Sequence, residues 1–561
     1  MSSRCLEATW MLPYGQDLAS PALETGAVPA RIRKRRVKCD EGYPRCQRCR
    51  VSGHECQFDN HPSIEQAALG AFINYTPGLS QPQLATHPDA DRQELHALTF
   101  FHERSVPEIP GQTYSELWAG YLLPMAQQEP AIRHAMVALG KLHEGYLNSS
   151  LDNEYALRQY GKAISLITRL DTSGPGAFDI ALASCVLFAA IETITGHPKS
   201  SVMHVLSGMK ILRQGRCHGD GFIPRDQLAG LFDRTVCQAL EIGDVETLSQ
   251  TPSPQGFPIP DTFNSTREAI RFLEAFQYFT LRLFQDAAMI PDSTMSVEEK
   301  MALLAPTLKK SQALAGEWMA ACERFLASET TKDHPAHLIL KIMMEATYIQ
   351  LNAPRECDFD QFTGRFKQIT DWAEMYLHRT TTKRSTAERP QMSDADKQTS
   401  PPSSTSPVGT SSASTTPSDK EKTVHRDRKL LPKPEAAMSP TFTMASGVVP
   451  HLYMVTARCR DPVVRRQGLR LLRASNRREG LWDSQLTARV AERVMLIEEQ
   501  NARCILGLED DEPLTNCFQI PLRARITVTG TQFGQNREGT VTYASRDTSA
   551  PEIQMTEKIY W

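Results

Sequence analysis

The chain has 561 residues, more than one hydrophobic core usually holds, and 40% of them are apolar, which is enough to bury a core. Its net charge of −3 hides an asymmetry, because residues 31–50 carry nine basic and two acidic side chains, which leaves −10 for the remainder. Thirteen cysteines, an odd number, argue against a secreted disulfide scaffold and are typical of a reducing compartment. A compact basic segment in an acidic chain predicts an anionic partner for that segment alone.

The N-terminal ninety residues divide into three segments. Residues 1–30 show no periodicity and no signal-peptide pattern, so we expect an unstructured N-terminus. Residues 31–57 are basic and rich in cysteine. Residues 58–90, with Pro, Gly, Ser and Asn, are predicted to be a linker, and they contain no apolar heptad repeat that would predict a coiled coil. The sequence therefore leaves the oligomeric state open.

Four cysteines crowd into eighteen residues of this second segment. They are Cys39, Cys46, Cys49 and Cys56, with six, two and six residues between them. Thiolates two residues apart can bind one metal ion from a tight turn, and zinc prefers four sulfur ligands in tetrahedral geometry. Four free cysteines in a small loop are the alternative, which we disfavour because so polar a segment has no other means of forming a core.

Helical periodicity dominates residues 91–379, which we predict to be the first part of a large all-α domain. The clearest apolar stripe joins Ile132, Met136, Leu139, Leu142 and Tyr146. Further helices are expected around 157–167, 178–194, 202–212, 266–286, 297–328, 334–352 and 360–378. The run 178–194 is apolar nearly all round but contains two acidic residues, so we interpret it as a buried central helix and not as a membrane span.

Residues 380–437 break the helical pattern. Sixteen of the nineteen residues from Ser400 to Ser418 are Ser, Thr or Pro, so we predict a disordered insertion. Helices resume in 438–515, where Asp461 and Asp483 are expected to cap two of them. The arginine-rich segment Arg460–Arg478 is interpreted as a solvated helix face. Alternating residues in 516–561 predict two or three short strands.

The helical part contains aromatic, methionine and histidine side chains, to which we assign structural roles. Trp118, Trp482, Phe188 and the methionines are interpreted as core, and His134, His143 and His204 as structural or exposed. There is no Gly-rich phosphate loop, nucleophile elbow or zinc-protease helix, so no enzyme is predicted. No membrane partner is predicted either.

The stretch RKRRVKCDEGYPRCQRCRVSGHECQF resembles the fungal Zn2Cys6 binuclear-cluster transcription regulators. Their pattern is Cys-x2-Cys-x6-Cys, a Pro-containing loop, and a second Cys-x2-Cys-x6-Cys, with a basic run just before the third cysteine. The resemblance implies that Cys39, Cys46, Cys49 and Cys56 occupy the third to sixth ligand positions and bind zinc in a nuclear protein. It also implies duplex DNA as a partner, with the transcription machinery or corepressors as further ones.

The resemblance assigns roles in DNA binding to the basic run. Arg35 and Arg36 match the pair that contacts bases of a CGG-type triplet, and an arginine can bond guanine O6 and N7 together. The residues placed as phosphate contacts are Arg33, Lys34, Lys38, Arg45, Arg48 and Arg50. A nuclear localisation signal is the alternative interpretation of this run, and both roles are compatible.

The chain departs from the family at the first two ligand positions, where Pro29 and Ile32 stand in place of cysteine. Six thiolates share two zinc ions in the family, so the four present here hold at most one zinc. Two explanations stay open: a wrongly joined exon upstream of Arg33, which the abrupt start of the match favours, or a degenerate element that binds DNA weakly or not at all.

The helical part resembles the fungal transcription-factor regulatory domain found downstream of such clusters. The resemblance rests on LWAGYLLPMAQQEPAIRHAMVALGKLHEGYL and YALRQYGKAISLI in 97–214, and on VTARCRDPVVRRQGLRLLRASNRREGLWDS in 445–500. It implies a mainly α fold: a small zinc element, a large domain of helical hairpins interrupted by the Ser/Thr/Pro-rich stretch, and a short β segment at the C-terminus.

Overall fold

The computed structural model describes residues 91–560 with internal gaps. The gaps are 112–113, 151–152, 172–175, 215–221, 243–258, 289–296, 329–333, 388–437, 534–537 and 546–553. The N-terminus, the cysteine-rich element and the linker therefore lie outside the described residues, and so does most of the predicted insertion.

Helical hairpins make up the first part of the described chain. Its helices are α1 (Arg92–Phe100), α2 (Leu123–Gln128), α3 (Pro130–Leu147), α4 (Glu154–Ile167), α5 (Ala177–Thr195), α6 (Pro198–Gln214) and α7 (Arg225–Glu241). Helix α3 packs on α4, α5 packs on α6, and α3 contacts α5. Their apolar faces form one core, in which Trp118 and Phe188 are buried as predicted.

Helix α5 lies in the middle of this core. It is the one helix among the described residues that is long and apolar enough to cross a membrane. However, 83% of its most apolar stretch is buried within the protein. The helix ends at Gly196, whose φ of 86° lies in the left-handed region that glycine tolerates. The predicted buried central helix is confirmed.

The second part has its own core. Its helices are α8 (Thr266–Ala288), α9 (Val297–Ser328), α10 (Pro335–Asn352), α11 (Thr363–Ala387), α12 (Val449–Arg458), α13 (Pro462–Ser475) and α14 (Ser484–Leu506), with 3-10 turns at Glu356–Phe362, Cys517–Gln519 and Leu522–Ala524. Trp318, Trp482 and Phe366 are among the side chains buried in this core. Helix α11 continues to Ala387, so residues 380–387, which we expected in the disordered insertion, are helical.

Both predicted caps in this part are confirmed. The Asp461 carboxylate accepts hydrogen bonds from the backbone N–H groups of Val463 and Val464, each at 3.0 Å. The Asp483 carboxylate accepts from those of Gln485 at 3.0 Å and Leu486 at 3.2 Å. These bonds satisfy N–H groups that the first turn of a helix leaves without an intrahelical partner.

A small three-stranded sheet joins the two parts and was not predicted. Strand β1 (Thr441–Thr443) pairs in parallel with β2 (Arg477–Glu479), which pairs antiparallel with β3 (Trp482–Asp483). Asn476 and Gly480 flank β2 with positive φ values of 44° and 59°. Phe442 of β1 is buried in the first core, whereas Trp482 of β3 is buried in the second.

The C-terminal strands form an antiparallel sheet. Strand β4 (Ile526–Phe533) pairs with β5 (Glu538–Ser545), which pairs with β6 (Gln554–Tyr560). One face of the sheet packs on α14 through Val541, Tyr543 and Ile559. The predicted short β segment is confirmed, and with it the mainly α fold class of the described chain.

Candidate nucleic-acid interface and the charged interior of the body

All of the predicted zinc ligands and DNA contacts lie outside the described residues. The ligands are Cys39, Cys46, Cys49 and Cys56, and the DNA contacts are Arg33, Lys34, Arg35, Arg36, Lys38, Arg45, Arg48 and Arg50. Their arrangement stays a prediction. Among the described residues, no group of three or more His, Cys, Asp or Glu side chains is placed to hold a metal ion.

Buried cysteines of the helical body are poor alternatives as zinc ligands. All seven described cysteines are free thiols. Burial raises the pKa of Cys185 and of Cys459 to about 12, and it raises the pKa of Cys237 well above its usual value. Zinc binds the thiolate, so the burial that raises these pKa values also disfavours the form that binds the metal. The cysteine-rich element therefore remains the zinc-binding candidate.

The interpretation of Arg460–Arg478 as a solvated helix face is wrong for several of its arginines. Arg460 and Arg465 are fully buried, and Arg477 and Arg478 nearly so. Arg460 Nη2 lies 2.8 Å from Glu498 Oε1, and Arg465 Nη2 lies 3.0 Å from Glu498 Oε2. Arg465 points inwards because it lies on the same face of α13 as the buried Val464 and Leu469, a helical spacing that the sequence contains.

Glu498 of α14 sits between two buried guanidinium groups. Burial alone would raise the pKa of its carboxyl group, but the positive charges of Arg460 and Arg465 outweigh this effect and lower the pKa. Glu356 adds a second carboxylate, with one oxygen 2.6 Å from Arg460 Nη1 and the other 2.6 Å from Arg458 Nη1. The cluster ties α14 to α13 and to the 3-10 turn before α11.

Arg478 joins the two helical parts. Its Nη1 donates to the carbonyl oxygens of Thr193 at 3.1 Å and Ile194 at 2.9 Å, at the end of α5, and its Nη2 donates to Asp483 at 2.7 Å. Carbonyls at a helix C-terminus lack intrahelical donors and carry partial negative charge, so they favour a cation. The guanidinium group of Arg478 is therefore occupied by hydrogen bonds inside the body and is not available to DNA.

A serine, a histidine and a glutamate lie at distances similar to those in a catalytic triad: Ser105, His143 and Glu108. Ser105 Oγ lies 2.9 Å from His143 Nδ1, and His143 Nε2 lies 3.6 Å from Glu108 Oε2. Both Ser105 and His143 are fully buried, and the imidazole packs edge-on against Phe442 at 6.0 Å between ring centroids. A substrate cannot reach the Ser105 hydroxyl, so the contact is structural, as predicted for His143.

Comparison with known proteins finds similarity to fungal transcription regulators. The fungal Zn(2)-Cys(6) binuclear cluster domain matches residues 33–63. The Aspercryptin biosynthesis cluster-specific transcription regulator atnN of Emericella nidulans is 28% identical, over 92% of this chain and 93% of that protein. Residues 33–63 therefore resemble the fungal zinc-cluster domain, and the chain as a whole is similar to a fungal transcription regulator. The match to the cluster domain begins at Arg33, just after the two positions where this chain lacks cysteine.

Two further relatives of this chain also carry the names of transcription regulators. The Transcription regulator lscL of Purpureocillium lilacinum is 28% identical over 34% of this chain and 49% of its own length. The Zn(2)-C6 fungal-type transcription factor afumD of Aspergillus fumigatus is 27% identical over 32% of this chain and 50% of its own length. No solved structure matches the chain.

Proposed function

We propose that this chain is a zinc-dependent, sequence-specific regulator of transcription by RNA polymerase II that binds a CGG-type DNA element through residues 31–57. One observation carries the proposal: four cysteines with cluster spacing and an adjacent basic run coincide within the matched residues 33–63. The similarity to a transcription regulator over 92% of the chain supports it. Such a protein acts in the nucleus, and promoters of a biosynthetic gene cluster are the first DNA to test.

Four thiolates are expected to hold a single zinc ion. Cys39, Cys46, Cys49 and Cys56 would supply the four sulfur ligands that tetrahedral zinc prefers, and binding of the metal would supply folding free energy that so small a polar segment lacks. Arg35 and Arg36 would then reach base edges in the major groove. The remaining cations, Arg33, Lys34, Lys38, Arg45, Arg48 and Arg50, would neutralise phosphates.

A second function is favoured by Pro29 and Ile32. With only four thiolates the element would bind DNA weakly or not at all, and the chain would act as a nuclear cofactor that contacts other proteins through its helical body. The transcription machinery or corepressors are the expected partners in that case. The two functions differ in a single measurable property, which is the affinity of the intact chain for a specific duplex.

The DNA affinity of the intact chain separates the two functions, and its zinc content tests the metal site. We expect one zinc per chain by atomic absorption, and tighter binding to a CGG-containing duplex than to a scrambled one by fluorescence anisotropy. The variant Pro29→Cys/Ile32→Cys should bind a second zinc and bind the CGG duplex more tightly, whereas the matched control Pro29→Ser/Ile32→Ser should match the parent chain. Zinc-free protein, or equal affinity for both duplexes in the parent and the restored variant, would rule out the proposed function.

A further inference from the structure

The last turn of α14 and the segment that folds back on it expose large apolar side chains. Phe518 is 80% exposed, Ile505 49% and Leu506 46%. The opposite side of the segment is well packed, since Leu514 and Ile520 cover Ala502 of α14. We call the surface that carries Ile505, Leu506 and Phe518 the α14 end face. Exposed aromatic and aliphatic side chains on packed elements are typical of a contact surface for another group.

Negative charge flanks the α14 end face. Residues 509–512 are Glu, Asp, Asp and Glu, all exposed, and Arg503 is the only basic residue in 500–519. Arg503 is already engaged, because its Nε donates to the carbonyl oxygen of Glu512 at 3.0 Å and its Nη2 lies 3.9 Å from Glu499. The surface is therefore complementary to a segment that is cationic and carries some apolar groups.

We propose that the occupant of the α14 end face is the basic segment 31–57 of the same chain. Residues 31–50 carry a net charge of +7, and they include Val37 and Tyr43 as apolar groups. Their guanidinium groups can also stack on the exposed ring of Phe518. The 33 residues 58–90 connect the basic segment to α1 and can span up to about 110 Å, so they allow it to reach this surface.

Docking of this kind would compete with DNA. The cations that bind the α14 end face are those that the proposed function assigns to bases and phosphates, so this consequence rests on the proposed function. The apparent dissociation constant for DNA rises in proportion as the undocked fraction falls. The chain would thereby hold its own DNA-binding element in check until the α14 end face is covered or altered.

Zero-length crosslinking of the intact chain tests the docking without DNA. A carbodiimide joins a lysine amine to a carboxylate in direct contact, so we expect crosslinks from Lys34 or Lys38 to residues 509–512, identified by mass spectrometry. An equal mixture of ¹⁴N- and ¹⁵N-labelled chains should give crosslinks within single chains. Mixed-isotope crosslinks would identify a second copy as the occupant, and crosslinks spread evenly over all exposed acids would indicate no defined site. Either result overturns the proposal.

A pair of charge-matched variants tests the consequence for DNA binding. Asp511→Asn/Glu512→Gln/Phe518→Ser should lose the crosslinks and bind the CGG duplex about fivefold or more tightly at low salt. The control variant Glu154→Lys/Leu157→Ser changes two exposed residues of α4 and raises the net charge of the chain by the same amount. It should behave as the parent chain. Unchanged affinity in the first variant, or an equal gain in both, contradicts the proposal. If no variant binds DNA, the proposed function fails, and the crosslinks alone decide the docking.

Discussion

At the scale of single residues, the interior of the body depends on charge balance. Glu498 accepts hydrogen bonds from Arg460, from Arg465 and from the backbone N–H of Ile526, all of them buried. Without Glu356, the single carboxylate of Glu498 would face two buried cations and leave a net positive charge; Glu356 supplies the second negative charge. Breaking such a cluster by removing one charge is costly, because the remaining charges stay buried without compensation.

Replacing Glu498 by Gln tests this balance. The variant keeps the volume of the side chain but leaves Arg460 and Arg465 with one carboxylate fewer, so we expect a loss of about 3–5 kcal/mol in the free energy of unfolding, measured in urea. The control is Glu374→Gln, which removes the partner of Arg470 from a partly exposed pair 2.7 Å apart and should lose less than about 1 kcal/mol. Similar losses in the two variants would contradict a special role for burial.

The same carboxylate predicts a pH dependence with a definite sign. The pKa of Glu498 is lower in the folded protein than the value of about 4.3 expected when it is unfolded. As pH falls, the unfolded state therefore takes up the proton first, so the stabilisation is complete above about pH 4.3 and is lost as pH falls towards the folded pKa. The difference in unfolding free energy between the parent and Glu498→Gln should shrink between pH 7 and pH 3, whereas a constant difference would contradict this assignment.

At the scale of elements, the hairpin of β2 and β3 fixes how the two helical parts meet. Gly480 has a φ of 59°, and its backbone N–H donates to the carbonyl oxygen of Thr443 at 2.7 Å. A Cβ at this position would collide with the side chain of Gln238 on α7. That side chain also accepts from the backbone N–H of Leu481 at 3.1 Å, so α7 and the hairpin are joined directly.

Gly480→Ala should therefore destabilise the chain by more than backbone strain alone. Gly507→Ala provides the comparison, because Gly507 has a similar φ of 67° and a Cβ there would meet no other atom within 4 Å. We expect about 1–2 kcal/mol for Gly507→Ala from the left-handed backbone, and about 1–3 kcal/mol more for Gly480→Ala from the collision with Gln238. Equal losses in thermal or urea unfolding would show that Gln238 moves aside freely.

Element-scale features also show what the sequence could predict. The helices and the caps at Asp461 and Asp483 were predictable because apolar periodicity and capping are local signals. The small sheet was missed because three-residue strands carry no periodicity and β1 pairs with a strand 36 residues away. Asn476 and Gly480 were visible turn signals on either side of β2. The buried arginines were missed because charge suggested solvent, whereas Arg465 occupies an inward position of its helix.

At the scale of the whole molecule, positive charge is segregated. Many arginines of the C-terminal part are neutralised by carboxylates in the interior or at its surface, such as Arg466 with Glu499 at 2.8 Å and Arg478 with Asp483 at 2.7 Å. Residues 31–50 carry the excess of positive charge, so DNA affinity and its dependence on salt should come from this segment.

Two substitutions in the basic segment should therefore change different properties of DNA binding. Lys38→Ala removes a predicted phosphate contact and should weaken binding to all duplexes alike, lowering the slope of log K against log salt by about 0.9. Arg36→Ala removes a predicted base contact and should lower the discrimination between CGG and a mutated triplet by about 1–3 kcal/mol. Titrations of both duplexes at several salt concentrations measure both quantities. If Arg36→Ala left the discrimination unchanged, Arg36 would act on phosphates only, and base recognition would have to come from another side chain of the segment.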